Sequence, residues 1–297
     1  MNVERIAVIG SGTMGQGIAQ IAAFSGLIVS LFDIDESMLS KGIDNIRGNI
    51  QKHFVAKAKI SKEEGDAIIG RISTSTKLES VACNADFLIE AIPENMELKR
   101  KTFAALDKIC PAHTILSTNT SVLSVTAIGG AASRVGKCIG THFFNPVPVM
   151  KLVEVVLPIG VSEATVDTTL EVCKKMGKVP IKVKDVPGFI VNRLLGLLYQ
   201  EAAQIVLEGT ATADEVDTAM KLGAGHPLGP CELADFGGFD VIQMAQDGVF
   251  EYTHSERDRL NILYRKMLEA GRLGRKNGKG FYDYLPDGTK KAFKLFE

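Results

Sequence analysis

The chain has 297 residues, 45% of them hydrophobic and 23% charged, with 34 Lys and Arg against 35 Asp and Glu. That length favours two domains over one core, and a net charge of -1 supplies no field that would draw nucleic acid or an anionic membrane. The five cysteines (Cys83, Cys110, Cys138, Cys173, Cys231) are scattered and odd in number. They never form C-x-x-C, which speaks against a disulfide framework or a metal site and for a reducing compartment.

Met1 leads directly into Ile6-Ala7-Val8-Ile9 with no charged leader and no long apolar span, so neither a secretion signal nor a membrane helix is expected, and the location expected is cytoplasmic. Apolar runs then alternate with helical stretches. The expected strands are 5–9, 28–32, 87–91, 115–117, 137–142 and 152–156, a βαβα rhythm that predicts an α/β, doubly wound, mostly parallel sheet covered on both faces. Residues 36–69 interrupt the rhythm as a helical hairpin insertion, with Ser61 and Glu64 forming a capping box. After Asp185-Val186-Pro187-Gly188 the pattern turns helical, over 189–208, 212–222, 231–250 and 258–270. The Pro-Gly pair marks a domain boundary, giving 1–185 and an all-α C-terminal domain at 186–297.

Gly10-Ser11-Gly12-Thr13-Met14-Gly15 follows the first strand and opens a helix. Glycines at this spacing allow a tight turn, close approach of backbone to a pyrophosphate, and close helix–strand packing. The helix N-terminus offers unpaired N–H groups to phosphate. A second strand ends in Asp33 about 20 residues on, as the Rossmann-type dinucleotide fingerprint requires. A carboxylate there accepts ribose hydroxyls and repels a 2′-phosphate, and Ile34-Asp35-Glu36 brings no arginine, so NAD is expected over NADP. The other reading of Asp33 is a helix N-terminal charge ahead of Ser37.

A dehydrogenase of alcohols needs a base, and histidine titrates near neutrality. Of the five, His53 and His254 lie in polar helical stretches and His113 in a turn, and His226 has nothing to mark it. His142 ends a strand, at the end of an open sheet where ligands bind, although position alone suits a structural core histidine as well. Glu154, in Leu152-Val153-Glu154-Val155-Val156, tips the balance. A carboxylate among aliphatics needs a partner if buried, and a connection through Pro146 and Pro148 can bring it beside His142 as the orienting member of a pair. A solvent-facing glutamate on an edge strand is the alternative.

With these residues in place the sequence resembles the short-chain 3-hydroxyacyl-CoA dehydrogenases, the bacterial 3-hydroxybutyryl-CoA dehydrogenases above all. The resemblance spans residues 4 to about 284 and rests on Gly10–Gly17, Glu90-Ala91-Ile92-Pro93-Glu94-Asn95, Ser117-Thr118-Asn119-Thr120-Ser121, His142-Phe143-Phe144-Asn145-Pro146, Met150-Lys151-Leu152-Val153-Glu154-Val155, Pro187-Gly188-Phe189-Ile190-Val191-Asn192-Arg193 and Gly278-Lys279-Gly280-Phe281-Tyr282. It implies that His142 and Glu154 are the catalytic pair and that Ser121 and Asn192 hydrogen-bond the substrate's 3-oxygen and neighbouring groups. It implies that Glu94, Lys99, Asn119, Asn145 and Lys276 contact or brace NAD. By composition alone, Lys99 and Lys276 are solvated surface charges. Closure of the C-terminal domain, which also forms a homodimer, completes the site in this family picture.

The acyl-CoA substrate brings phosphates, and Lys52, Lys57 and Lys59 form a basic cluster in the hairpin. Lys52 is the best match to the family's hairpin lysine, although a solvated helix face fits equally. Val122 stands where the family often has a second serine, and Pro93 is expected to stiffen the start of the helix that follows. Two rivals are a gulonate-type dehydrogenase acting on a free sugar acid, and a non-catalytic NAD-binding protein of the crystallin kind.

Overall fold

The computed structural model describes residues 1–293, so the last four residues of the expected 186–297 domain lie outside it. The chain divides into two compact units, Met1–Val186 and Pro187–Glu297. No helix among the described residues is long and apolar enough to cross a membrane.

The first unit runs β1 (Arg5–Ile9), α1 (Thr13–Phe24), β2 (Ile28–Phe32), α2 (Glu36–Ile50), a π-helical turn at Gln51–Val55, α3 (Lys62–Ile69), β3 (Ile72–Ser75), α4 (Leu78–Ala82), β4 (Phe87–Glu90), α5 (Met96–Ile109), β5 (Ile115–Thr118), α6 (Val125–Gly129), β6 (Cys138–Phe143), β7 (Leu152–Leu157), α7 (Glu163–Lys175) and β8 (Val179–Lys184). The strands form one sheet in the order β3-β2-β1-β4-β5-β6-β7-β8. Every pairing is parallel except β6 with β7. Alternate residues of β1 feed opposite cores: Ile6 and Val8 join Ile18, Leu31 and Phe143, whereas Ala7 and Ile9 join Leu88, Phe103 and Leu116. This burial on both faces is why the strands read as unbroken apolar runs.

Local chemistry sets the helix starts. Asp35 caps α2 through the Ser37 N–H, Asn95 caps α5 through Leu98, and Ser162 caps α7 through Thr165. Ser61 and Glu64 make the expected capping box on α3. Helix α1 differs, because Gly12 precedes it and no side chain caps it. Pro93 lies before α5, which begins at Met96 behind Asn95.

The second unit comprises α8 (Val191–Leu207), α9 (Ala213–Gly223), α10 (Pro230–Gly237), α11 (Phe239–Thr253), α12 (Ile262–Glu269) and an antiparallel hairpin of β9 (Tyr282–Tyr284) and β10 (Lys290–Ala292). It is helical as expected, with two corrections. The 231–250 stretch is two helices, broken at Gly238 with φ 90°, a backbone that residues other than glycine rarely adopt. The hairpin was not expected, and it is fastened to α10 by one buried side chain. Asp235 accepts the Phe281 and Tyr282 N–H groups (2.7 and 3.0 Å) and the Tyr284 hydroxyl (3.1 Å). Burial pushes its carboxyl up to about 6 in spite of these donors. A Cβ on Gly280 would lie 2.0 Å from Asp235 Oδ1, which explains the glycine in the closing Gly-Lys-Gly-Phe-Tyr motif.

Candidate active site

The chain order reverses between β1 and β4, and a cavity of about 650 Å³ opens beyond their carboxyl ends. It is lined by Gly10, Gly12, Thr13 and Met14 from the glycine turn, by Asp33 and Ile34 after β2, and by Ala91, Ile92 and Pro93 after β4. The glycines divide the work. Gly10 has φ 103° and lies against the Ala91 carbonyl, 2.6 Å from where a Cβ would be. On Gly15 a Cβ would stand 1.7 Å from the Gly10 carbonyl oxygen. At Gly12 a Cβ would meet nothing within 4 Å, so this glycine leaves open space in front of the uncapped N-terminus of α1. That is a cradle for a diphosphate.

Asp33 accepts the Ser11 N–H and hydroxyl at one oxygen (both 2.8 Å). The helix-capping alternative falls to Asp35, which receives the Ser37 N–H. Asp33 thus stands fixed at the cavity wall, where a ribose fits and a 2′-phosphate would meet its charge. These residues fit a bound NAD.

The β6–β7 antiparallel register sets His142 directly opposite Glu154, and both are buried. His142 Nδ1 and Glu154 Oε2 are 2.8 Å apart. The edge-strand reading of Glu154 fails because β8, which was not expected, covers β7 and leaves the carboxylate fully buried. With Nδ1–H donating to the carboxylate, the imidazole carries its basic lone pair on Nε2. Asn119, after β5, holds the end of β6 by accepting the Phe143 N–H (2.9 Å). His53, His113 and His254 are exposed.

A second buried network supports the Ser121 loop. Glu94 Oε1 accepts the N–H groups of Ser121 (2.8 Å) and Val122 (3.3 Å) and the Thr120 hydroxyl (2.5 Å). Glu90, at the end of β4, accepts from Ile92 N–H, Thr118 hydroxyl and Lys99 ammonium (2.8, 2.7 and 2.7 Å). Lys99 is 1% exposed and also reaches Glu94 Oε2 at 3.3 Å, which overturns its reading as a solvated charge. Such a cation resides in the core only because two carboxylates and the Ile92 carbonyl meet it. Glu90 itself was missed, although a glutamate closing the run Phe87-Leu88-Ile89 is the same signal that singled out Glu154.

The remaining predicted residues lie as follows. Asn145 is exposed and precedes the cis bond to Pro146. Lys52, Lys57 and Lys59 are exposed in and after the π-helical turn, and Lys59 sits 5.7 Å from the Phe54 ring centroid. Asn192 lies in the first turn of α8, and Lys276, half-exposed, pairs with Asp240.

Comparison with known proteins bears on this arrangement. Residues 5–186 match the family model "3-hydroxyacyl-CoA dehydrogenase, NAD binding domain", and residues 188–284 match "3-hydroxyacyl-CoA dehydrogenase, C-terminal domain". A Bacillus subtilis protein named "Probable 3-hydroxybutyryl-CoA dehydrogenase" is 43% identical over 284 residues, covering 96% of this chain and 98% of its own. The human mitochondrial hydroxyacyl-coenzyme A dehydrogenase is 42% identical, with 95% and 91% covered. The crystal structure of (S)-3-hydroxybutyryl-CoA dehydrogenase from Ralstonia eutropha superposes with a TM-score of 0.92 at 37% identity, over 96% of this chain and all of that one. The chain belongs to the 3-hydroxyacyl-CoA dehydrogenase family. Its activity is that of an NAD-dependent 3-hydroxyacyl-CoA dehydrogenase.

Proposed function

We propose that the chain interconverts (S)-3-hydroxybutyryl-CoA and acetoacetyl-CoA, with His142 as the acid–base residue and Glu154 as its orienting carboxylate. The observation that carries this is the buried 2.8 Å contact between them at the carboxyl end of β6. In oxidation the 3-hydroxyl proton passes to His142 Nε2, and in reduction it returns. Glu154 holds the tautomer and stabilises the imidazolium. NAD, when bound, supplies the hydride acceptor. Ser121 and Asn192 hydrogen-bond the 3-oxygen and neighbouring groups, Lys52 meets the coenzyme A phosphates, and Asn145 and Lys276 contact or brace the nucleotide. The short acyl chain is supported by the names of the Bacillus and Ralstonia relatives.

One steady-state series tests this reading: acetoacetyl-CoA and longer 3-ketoacyl-CoAs with NADH and NADPH, and L-gulonate with NAD. The expected results are the highest kcat/KM on acetoacetyl-CoA and at least about a tenfold preference for NADH, roughly 1.4 kcal/mol at the 2′ position. A rising kcat/KM with chain length would overturn the butyryl assignment, and equal use of both nucleotides would overturn the role of Asp33.

The second unit carries exposed Leu194 on α8, Phe236 on α10, and Val241 and Met244 on α11. Apolar side chains left in water on neighbouring helices suit a symmetric partner surface, and we assign them to a homodimer interface. Light scattering at micromolar concentration should give twice the 32.0 kDa chain mass, and a monomeric mass would contradict the assignment.

A further inference from the structure

Lys178 sits between the turn that ends α7 and the first residue of β8. It is 8% exposed, and its ammonium is held by two backbone carbonyls, Val147 O at 2.5 Å and Met150 O at 2.7 Å. Burial lowers its basicity below the usual lysine range. A cation buried against neutral carbonyls is costly, and an apolar side chain would fill the same space more cheaply. What the ammonium holds is therefore informative. Both carbonyls belong to the connection between β6 and β7, which leaves the sheet after His142 and Phe143 and returns to Glu154. The side chain of Val147 is buried against α1 at Gly17, where a Cβ would come within 2.8 Å of Val147 Cβ. One connection thus touches the helix of the glycine turn on one side and Lys178 on the other.

We propose that Lys178 is a positioning residue for the acid–base pair: by clamping the β6–β7 connection against α1, it fixes where His142 stands relative to the dinucleotide cradle. This rests on the His142–Glu154 reading above. Displacement of a reacting group by about 1 Å can lower a rate about 10²-fold, so the clamp should act on turnover and spare nucleotide affinity.

The test compares Lys178→Met, Lys178→Arg, Val147→Ala and Glu154→Gln on acetoacetyl-CoA, with melting temperature and NADH Kd measured for each. Lys178→Met keeps the length and removes every donor. It should lose about tenfold or more in kcat, hold NADH Kd within about twofold, and show a larger solvent deuterium isotope effect, because proton transfer becomes slower. Lys178→Arg retains donors and should recover part of the loss. Val147→Ala loosens the same clamp without touching the lysine. It should show the same split between kcat and Kd, and it serves as the test if Lys178→Met does not fold. A lowered melting temperature with unchanged kcat and isotope effect in these variants would reduce Lys178 to a structural lysine and overturn the inference. If Glu154→Gln is inactive and Lys178→Met is normal, the clamp alone falls. If Glu154→Gln is normal, the pair reading falls and the clamp with it.

Discussion

Glu154→Gln should lower kcat on acetoacetyl-CoA by about 10³–10⁴-fold while leaving NADH binding intact. The side chain is fully buried on β7, and its Oε2 lies 2.8 Å from His142 Nδ1. Glutamine keeps the shape but can present an N–H to Nδ1. The imidazole then takes the opposite tautomer, with its proton on Nε2, and loses the lone pair that accepts the substrate's proton. The comparable Asp-to-Asn change in serine proteases costs about 10⁴ for this reason. His142→Gln should be at least as damaging. The double variant should be scarcely worse than the slower single one, because the two residues act as one unit. Neither lines the nucleotide cavity, so NADH Kd should stay within about threefold of the original in both. Near-normal kcat in either single variant would mean that another group is the base.

Asp217→Ala should destabilise the second unit by about 2–5 kcal/mol, the range for leaving two buried backbone donors without an acceptor. Asp217 is fully buried and accepts the Cys231 and Glu232 N–H groups at the start of α10 (2.8 and 2.9 Å) and the Tyr282 hydroxyl (2.7 Å). Alanine would strand the two helix N-terminal amides, each costing about 1–3 kcal/mol, and would leave the Tyr282 hydroxyl only the Ala213 carbonyl at 3.2 Å. The surroundings are shaped to this carboxylate, since a Cβ on Gly229 would lie 2.2 Å from Asp217 Oδ1. Tyrosine fluorescence isolates the event. The chain has no tryptophan, and its five tyrosines (Tyr199, Tyr252, Tyr264, Tyr282, Tyr284) all fall after residue 187. A urea midpoint corresponding to less than about 1 kcal/mol of loss would show that the amides find other acceptors.

The interior strands were legible because they are apolar on both faces, and the glycine turn because its spacing follows a strand and opens a helix. The two edge strands were not. β3 reads Ile-Ser-Thr-Ser and β8 reads Val-Pro-Ile-Lys-Val-Lys, and edges with one covered side carry polar residues and proline that resemble loop. Missing β8 left Glu154 open to an edge reading. The His142–Glu154 pairing was within reach because a carboxylate within an apolar strand needs a partner when buried, and the connection through Pro146 and Pro148 can bring the histidine beside it. Lys99 and Lys178 were out of reach. A lysine's burial depends on acceptors delivered by distant segments, and in sequence it looks like any surface charge. The break at Gly238 was obscured by helical composition on both sides, with only the paired glycines to mark it.

The opposition of His142 and Glu154 has a genetic consequence. Both lie in one uninterrupted run, residues 142–154, and meet through antiparallel register. Slipping an antiparallel strand by one position turns each side chain to the opposite face. A single codon gained or lost in the intervening connection would present Val153 or Val155 to the imidazole, whereas substitutions that keep its length leave the opposition in place. The opposition is therefore carried by one short run of chain, and the length of that run sets it.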